Sequence, residues 1–226
     1  MLCHINGLLK REQIAEARRA LEHATWVDGR NTAGFVAARV KNNREVPVDH
    51  PVARQVGQII FAALSASPQF INMARPLKVT PPMINRYETG ETYGNHIDGA
   101  LLKAADETIS LRADLAATVF LSEPEDYDGG ELTIEDTFGA HSVKLPGGDM
   151  ILYPASSLHR VTAITRGARV GAFFWIQSMV RDDAKRELLA TIDRAAQHLY
   201  RAVPDNPGIS MLHGAYANLL RMWTET

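Results

Sequence analysis

The chain has 226 residues, of which 46% are hydrophobic and 22% charged, a composition typical of a folded protein with a sizeable core and not of a disordered one. Its formal net charge is −2 and its acids and bases are interspersed, so no basic tract can neutralise nucleic-acid phosphates or anionic lipid. We therefore expect a single domain over residues 1–226, without a nucleic-acid or membrane partner.

Cysteine occurs once, at Cys3. A single cysteine forms no disulfide within the chain and builds no cysteine-based zinc site, which is typical of a reducing compartment. No stretch approaches the roughly 20 apolar residues of a membrane span, and the N-terminus has only short apolar runs. These features predict a cytoplasmic protein in which any metal is held by histidines and carboxylates.

Two helices are predicted near the N-terminus. Residues 11–24 repeat apolar side chains at helical spacing, which indicates a surface helix. Its stripe consists of Ile14, Ala17, Leu21 and Ala24. A second helix is predicted over residues 49–65, with Asp49 as its N-cap and Pro51 in its first turn. Its stripe consists of Val52, Val56, Ile59 and Ala63.

Residues 77–178 have the pattern of an antiparallel β-core. Short apolar runs such as ATVFL, DMILY and VGAFFWI are separated by the turn signals DGG, PGG and TRG. Helical periodicity returns after Arg181. The expected apolar faces are Leu188, Ile192, Ala195 and Leu199, followed by Leu212, Tyr216, Leu219 and Trp223. The predicted fold is mainly β with flanking helices: a jelly-roll core, helical support from residues 1–76 and a helical extension over residues 179–226.

The triplet His96-Ile97-Asp98 is the first candidate for a metal site. On a β-strand, residues i and i+2 project to the same face, so His96 and Asp98 can reach one ion. A third ligand is expected from a distant strand, and His159 stands where a loop gives way to an alternating strand. Two histidines and one carboxylate leave positions open, as in the non-haem iron(II) enzymes that activate oxygen, although zinc also accepts these ligands.

Other interpretations of these residues stay open. His141 precedes a predicted strand and is a rival third ligand, but no arginine follows it at a useful spacing. The H-x-D triplet also fits a solvated strand end. Tyr93 fits either a core aromatic or a residue that supports the metal or the substrate. The pairs Gly129-Gly130 and Gly147-Gly148 match no phosphate-binding loop and are predicted to be turns.

Arg169 lies ten residues after His159 in HRVTAITRGARVGAFFW. If residues 165–167 form a three-residue hairpin loop with a left-handed Gly167, Arg169 falls on the same sheet face as His159. The two would then lie roughly 10 Å apart along the barrel. A partly buried arginine stays charged and binds a carboxylate bidentately. This spacing predicts a dicarboxylate held between the metal and Arg169.

The segments NRYETGETYGNHIDG, DLAATVFLSEPEDYDGGEL and LPGGDMILYPASSLHRVTAITRGARVGAFFW together resemble the iron(II)/2-oxoglutarate dioxygenases of the prolyl-4-hydroxylase type. More narrowly, they resemble the bacterial PKHD-type hydroxylases, over nearly the whole chain. The resemblance implies that His96, Asp98 and His159 are the iron(II) ligands. It also implies that Arg169 binds the distal carboxylate of 2-oxoglutarate and that Tyr87 hydrogen-bonds the same carboxylate.

The resemblance further implies the reaction. The expected activity is hydroxylation of an unactivated carbon, with 2-oxoglutarate and O2 as co-substrates, succinate and CO2 as co-products, and L-ascorbate to keep the iron reduced. Related halogenating enzymes lack the carboxylate found here at Asp98. The implied substrate is peptidyl or free proline, or a small molecule related to an iron chelator. The alternative is a non-enzymatic sensor of metal and 2-oxoglutarate on the same barrel, and the C-terminal helices are a candidate contact in a homo-oligomer.

Overall fold

The computed structural model describes residues 2–103 and 110–225. The helices are α1 (Arg11–Leu21), α2 (Pro51–Ser65), α3 (Pro68–Ala74), α4 (Asp183–Ala202) and α5 (Gly208–Trp223). The strands, in chain order, are β1 (Cys3–Ile5), β2 (Val27–Asp28), β3 (Lys41–Asn42), β4 (Arg44–Glu45), β5 (Pro76–Val79), β6 (Met83–Glu88), β7 (Thr92–His96), β8 (Leu101–Lys103), β9 (Ser110–Arg112), β10 (Leu115–Phe120), β11 (Tyr127–Gly129), β12 (Leu132–Asp136), β13 (Gly139–Val143), β14 (Met150–Pro154), β15 (His159–Val161) and β16 (Ile164–Ser178).

Two antiparallel sheets form the centre of the fold. The larger sheet has the strand order β1-β14-β10-β16-β6-β4-β2, with β5 and β11 also pairing with β16. The smaller sheet has the order β13-β12-β15-β7-β3, and β8 pairs with β9 outside both sheets. Because sequence neighbours such as β14, β15 and β16 alternate between sheets, residues distant in sequence meet on the inner faces. The mainly-β fold with flanking helices is as predicted.

Strand β10 shows how side-chain alternation divides the core. Leu115, Ala117 and Val119 belong to the apolar cluster that the larger sheet forms with helices α1, α2 and α3. Ala116 and Phe120, from the opposite face of the same strand, belong to a second cluster that includes residues of the smaller sheet. Since successive side chains of a strand point to opposite faces, the larger sheet is buried on both sides. Residues of the second cluster, such as Tyr87 and Tyr153, also line a cavity between the two sheets.

The N-terminal helices differ in detail from the prediction. Helix α1 ends at Leu21 rather than at residue 24, and Ala24 packs only partly against the core. Helix α2 begins at Pro51, and its N-cap is His50, whose Nδ1 accepts a hydrogen bond from the Val52 amide, rather than Asp49. The buried face of α2 is Ala53, Val56, Gly57, Ile60, Ala63 and Leu64.

The segment of residues 1–76, predicted as helical support, also supplies strands to both sheets. Strand β1 pairs with β14, β3 with β7, and β4 with both β2 and β6. Strands of two or three residues are too short to show an alternating pattern, so the sequence did not indicate them. The proposed subdivision of the chain at residues 77 and 178 stays a prediction.

Helix α4 is rotated relative to its predicted face. It buries Arg186, Leu189 and Ala190, whereas Leu188 and Ala195 are exposed. The Arg186 guanidinium donates hydrogen bonds to the carbonyls of Val180 (2.5 Å) and Arg181 (2.8 Å), which requires its side of the helix to face inward. On α5, the four predicted apolar residues are half-buried. Among the described residues, no helix is long and apolar enough to cross a membrane.

Candidate active site

Three predicted metal ligands meet at one end of the smaller sheet. His96 on β7 lies directly opposite His159 on β15, and Asp98 follows the end of β7. Asp98 Oδ1 is 4.0 Å from His96 Nε2 and 3.8 Å from His159 Nε2. These distances are too long for hydrogen bonds. The three candidate ligand atoms lie within 4.8 Å of one another, which is the spacing expected around a shared ion.

The two imidazoles are oriented by backbone carbonyls. His96 Nδ1 lies 2.8 Å from the Gly94 carbonyl oxygen and His159 Nδ1 lies 3.0 Å from that of Ser157. Because a carbonyl only accepts hydrogen bonds, each Nδ1 carries the proton and donates. Each Nε2 therefore presents a lone pair toward Asp98, the arrangement in which histidines bind metals. Two such lone pairs and a carboxylate fit a divalent transition metal.

Burial keeps His96 neutral, which is the form that binds a metal. It lowers the pKa of His96 to about 3, and the neighbouring His159 adds to this effect. Burial raises the pKa of Asp98, while His159 and a hydrogen bond from the Trp175 side chain oppose the rise. His96 is therefore neutral at physiological pH. A cation bound between these groups would favour the ionised form of Asp98.

A tyrosine ring packs against each of the two histidines. The Tyr93 ring stacks on the His96 imidazole, with centroids 3.6 Å apart and planes inclined by 13°. Tyr153 contacts His159 edge-on, at 5.2 Å between centroids. Of the two interpretations of Tyr93, support of a candidate metal ligand is the one that its position favours. Tyr153 was not singled out from the sequence, because a tyrosine in an apolar strand carries no signal of its own.

Arg169 reaches the same region from the larger sheet. It is 1% exposed, and its Cζ lies 5.4 Å from the Tyr87 ring centroid and 5.2 Å from that of Phe120. Its Nε and Nη1 have no hydrogen-bond partner among the described residues. A buried cation with unpaired donors is costly unless an anion compensates it. The environment of Arg169 therefore fits a bound carboxylate.

Tyr87 lies directly opposite Arg169 in the pairing of β6 with β16. Burial raises the pKa of Tyr87 above its ordinary value of 10.0, and the Arg169 charge opposes this rise. The hydroxyl group is therefore protonated at physiological pH and can donate a hydrogen bond to an anion beside Arg169.

The hairpin used to place Arg169 is not formed. Gly167 does have a positive φ, of 75°, but residues 165–167 lie inside β16, where Gly167 pairs with Tyr127 of β11. His159 and Arg169 therefore belong to different sheets and are not neighbours on one face. Both still line one cavity, because the inner faces of the two sheets enclose it.

The cavity has a volume of about 420 Å³. The five predicted site residues all line it: Tyr87, His96, Asp98, His159 and Arg169. His141, the rival third ligand, lies outside it on β13 and is paired with Asp136 at 3.0 Å. The structure therefore brings together the predicted set and leaves out the rival.

The segment Thr32–Ala37 and Ile97 also line the cavity. Phe35 and Val36 in this segment are 84% and 64% exposed, so apolar side chains line the cavity where it is open to solvent. Lys41 and Glu45 also line the cavity. Sequence reasoning missed residues 32–37, Lys41 and Glu45, because they lie in a segment without a motif or a recognisable period.

Comparison with known proteins identifies the family. Over 228 residues the chain is 53% identical to a PKHD-type hydroxylase of Methylobacillus flagellatus, with 100% of each chain covered. It is also 53% identical over 226 residues to a PKHD-type hydroxylase of Phenylobacterium zucineum, again with 100% of each chain covered. The chain belongs to the PKHD-type hydroxylases.

Two family models match this PKHD-type hydroxylase and confirm the resemblance seen in its motifs. The 2OG-Fe(II) oxygenase superfamily matches residues 82–177, and the PKHD-type hydroxylase C-terminal domain matches residues 183–225. The protein is therefore an oxygenase that uses Fe(II) and 2-oxoglutarate. This membership decides for iron over zinc, which the ligand types alone did not.

Solved structures similar to this hydroxylase confirm the jelly-roll fold. A Trichoplax adhaerens prolyl hydroxylase in complex with a hypoxia inducible factor peptide has a TM-score of 0.56 at 16% identity, covering 83% of this chain and 86% of that one. The epimerase SnoN of nogalamycin biosynthesis has a TM-score of 0.54 at 18% identity, covering 79% and 78%. A fold shared by a hydroxylase and an epimerase does not determine the reaction.

Proposed function

We propose that this PKHD-type hydroxylase hydroxylates an unactivated carbon of its substrate, with succinate and CO2 as co-products of 2-oxoglutarate and O2. His96, Asp98 and His159 hold the iron. Arg169 and Tyr87 bind the distal carboxylate of 2-oxoglutarate. One observation carries the proposal: a single cavity contains three convergent metal-ligand atoms and a buried arginine whose Nε and Nη1 have no partner among the described residues.

Iron with 2-oxoglutarate supplies the oxidising chemistry, and the chain supplies binding, orientation and exclusion of water. The carbonyls of Gly94 and Ser157 keep the histidine lone pairs directed at the metal position. Asp98 fills the remaining protein-ligand position with a carboxylate, which supports hydroxylation over halogenation. Burial of Arg169 strengthens its attraction for the co-substrate, because little water screens it.

The charges that line the cavity favour a neutral reacting group. The charge of ferrous iron cancels that of the 2-oxoglutarate dianion, Asp98 cancels Arg169, and Glu45 cancels Lys41. The walls also include the apolar rings of Phe173 and Trp175. These features support a substrate whose reacting part is uncharged and largely apolar, such as the ring of peptidyl or free proline, or an apolar part of a small chelator-related molecule.

Further parts of the proposal concern the reductant, the location and the oligomeric state. L-ascorbate is proposed as the reductant because of the family resemblance. A cytoplasmic location is proposed from the single cysteine. A homo-oligomer contact through α4 and α5 is supported by exposed apolar side chains on these helices, which include Tyr200, Met211 and Met222.

Succinate formation tests the proposed reaction. Purified protein with Fe(II), 2-oxoglutarate and O2 is expected to form succinate even without added substrate, at a low rate. Asp98→Ala should reduce this rate by more than about 100-fold, because a metal ligand is lost. His141→Ala is the matched control and should retain the wild-type rate, since His141 lies outside the cavity.

A sensor would behave differently in the same assay. It would bind Fe(II) and 2-oxoglutarate but form no succinate under any condition. That result with folded, iron-loaded wild-type protein would contradict the proposed oxygenase reaction and favour the sensor.

A further inference from the structure

A buried ion pair between Lys41 and Glu45 lines the cavity. Lys41 is 5% exposed and Glu45 is 2% exposed, and Lys41 Nζ lies 2.6 Å from Glu45 Oε1. Thr32 Oγ1 donates a hydrogen bond to Glu45 Oε2 (2.6 Å) and accepts one from Lys41 Nζ (2.9 Å). The three side chains form one closed cluster in the cavity wall.

One end of this cluster belongs to the sheet that carries the metal ligands. Lys41 is in β3 and lies opposite Tyr93 of β7 in the smaller sheet. Its Nζ is 5.2 Å from the centroid of the Tyr93 ring, and that ring stacks on His96. Lys41 is thus separated from a candidate iron ligand by a single aromatic ring.

The other end belongs to the sheet that carries the arginine. Glu45 is in β4 and lies opposite Asn85 of β6 in the larger sheet. Tyr87, two residues further along β6, lies opposite Arg169. The ion pair therefore joins one strand of each sheet, near His96 in the smaller sheet and two residues from the position of Tyr87 in the larger sheet.

A 2-oxo diacid bound as proposed spans from the metal ligands on one sheet to Arg169 on the other. Its length must match the separation of the sheets. We propose that the Lys41–Glu45 ion pair, held by Thr32, sets this separation and thereby makes the site selective for 2-oxoglutarate over oxaloacetate, one carbon shorter, and 2-oxoadipate, one carbon longer. This inference rests on the proposed roles of the iron ligands and of Arg169.

Stability alone does not require an ion pair at this position. Apolar side chains of similar volume in place of a buried ion pair are often neutral or stabilising. Short, charge-assisted hydrogen bonds differ from apolar contacts because they are directional and hold a defined distance. The Lys41–Glu45 contact is therefore suited to hold the two sheets at a fixed distance. That distance determines which length of diacid can span from the metal ligands to Arg169.

Binding of the three diacids tests the proposal without turnover. Anaerobic Fe(II)-loaded protein is titrated with oxaloacetate, 2-oxoglutarate and 2-oxoadipate, and the visible charge-transfer band of the chelated keto acid reports each dissociation constant. Wild type is expected to prefer 2-oxoglutarate by about tenfold or more over each homologue. In the double variant Lys41→Met/Glu45→Leu, the preference over 2-oxoadipate should fall by about tenfold, because the sheets are no longer held at one distance.

The variants are chosen so that a change in selectivity can be distinguished from a loss of folding. The double variant leaves no unpaired charge in the core, whereas Lys41→Met alone would leave Glu45 unpaired. Thr32→Val removes the hydrogen bonds from an exposed position and should shift the preference in the same direction by a smaller factor. Arg44→Met is the matched control: Arg44 lies between Lys41 and Glu45, but it is exposed and pairs with Glu91 at 3.6 Å, so the preference should stay at the wild-type value.

Two outcomes would overturn the inference in distinguishable ways. A wild-type preference retained in the folded double variant and in Thr32→Val would show that the ion pair does not set the chain length. Absence of the band in wild type with all three diacids would overturn the proposed function, and this inference with it.

Discussion

At the scale of single residues, the environment of Arg169 indicates a bound anion. Its guanidinium is buried between Tyr87 and Phe120, and two of its nitrogens lack partners among the described residues. A carboxylate that binds there gains a charge-assisted contact and relieves the cost of the buried cation.

Arg169→Ala is therefore expected to weaken 2-oxoglutarate binding by about 100-fold, because loss of one partner of a buried, hydrogen-bonded charge pair costs several kcal/mol. Iron(II) affinity should change little, since the metal ligands lie on the other sheet. Separate titrations with iron and with 2-oxoglutarate measure both. Arg166→Ala, on the same strand but exposed and paired with Asp128 at 2.7 Å, is the control. Unchanged 2-oxoglutarate affinity in Arg169→Ala would contradict the assigned role.

His96 makes the metal-free protein sensitive to acid. Burial lowers its pKa from 6.5 to about 3 in the folded state, so below about pH 6.5 the unfolded chain binds a proton that the folded chain does not. The free energy of unfolding should therefore fall progressively as the pH is lowered from about 6.5 toward 3, and this contribution should vanish above that range.

Burial raises the pKa of Asp98, which changes the pH dependence of the free energy of unfolding in the opposite direction. Because Asp98 is present in both proteins, the comparison of wild type with His96→Gln isolates the effect of His96. Chemical denaturation in the presence of a chelator, between pH 4 and pH 7, should give a shallower pH dependence for His96→Gln. Equal slopes for the two proteins would show that His96 is not held neutral by burial.

At the scale of single elements, β7 depends on a glycine. Gly94 donates its backbone N–H to the Val40 carbonyl at 2.8 Å, and its own carbonyl accepts from His96 Nδ1. A Cβ at this position would lie 2.9 Å from Val40 Cβ, which is too close for two carbon atoms, so β7 or the segment before β3 would have to move.

Gly94→Ala is expected to lower iron(II) affinity by about tenfold, because movement of β7 misorients the His96 imidazole. Gly214→Ala in α5, where a Cβ meets nothing within 4 Å, should leave iron binding unchanged and stabilise the protein by about 0.5–1 kcal/mol. Iron titration and thermal unfolding of both variants measure these effects. Wild-type iron affinity in Gly94→Ala would mean that the strand accommodates the methyl group without turning His96.

The elements that could be predicted from the sequence are those marked by a pattern of neighbouring residues. His96, Asp98 and His159 are marked by residue type, but the strand alternation expected to align Asp98 with His96 does not apply, because β7 ends at His96. Arg169 was placed in the right cavity through a wrong hairpin, because spacing in the chain does not reveal that β15 and β16 belong to different sheets. Strands β3 and β4 have two residues each, and their role is fixed by pairing with distant strands, so no local pattern indicated them.

The buried face of α4 could not be predicted from the sequence for a different reason. The apolar spacing favoured a face with Leu188, but hydrogen bonds from Arg186 to the carbonyls of Val180 and Arg181 turn that side inward. A charged residue in the buried face of a helix is against the usual pattern. It becomes predictable only when the carbonyls that it satisfies are known.

In the molecule as a whole, the two sheets divide the binding of iron and co-substrate. The smaller sheet carries the candidate metal ligands, and the larger sheet carries Arg169. The C-terminal helices contact α3 and the residue that follows it: Asn72 donates to Asp193 at 2.6 Å and Arg75 donates to the Tyr216 hydroxyl at 2.8 Å. The match of residues 183–225 to a PKHD-specific model shows that this extension is a family feature.

An anaerobic optical titration tests the iron ligands and the co-substrate together. Metal-free protein receives Fe(II) and then 2-oxoglutarate, and the visible charge-transfer band of a keto acid chelated to iron is recorded. We expect the band in wild type and in His141→Ala, and we expect no band in His159→Ala. A missing band in folded, iron-loaded wild type, or a band of full intensity in His159→Ala, would contradict the assignment of this cavity as the iron and 2-oxoglutarate site.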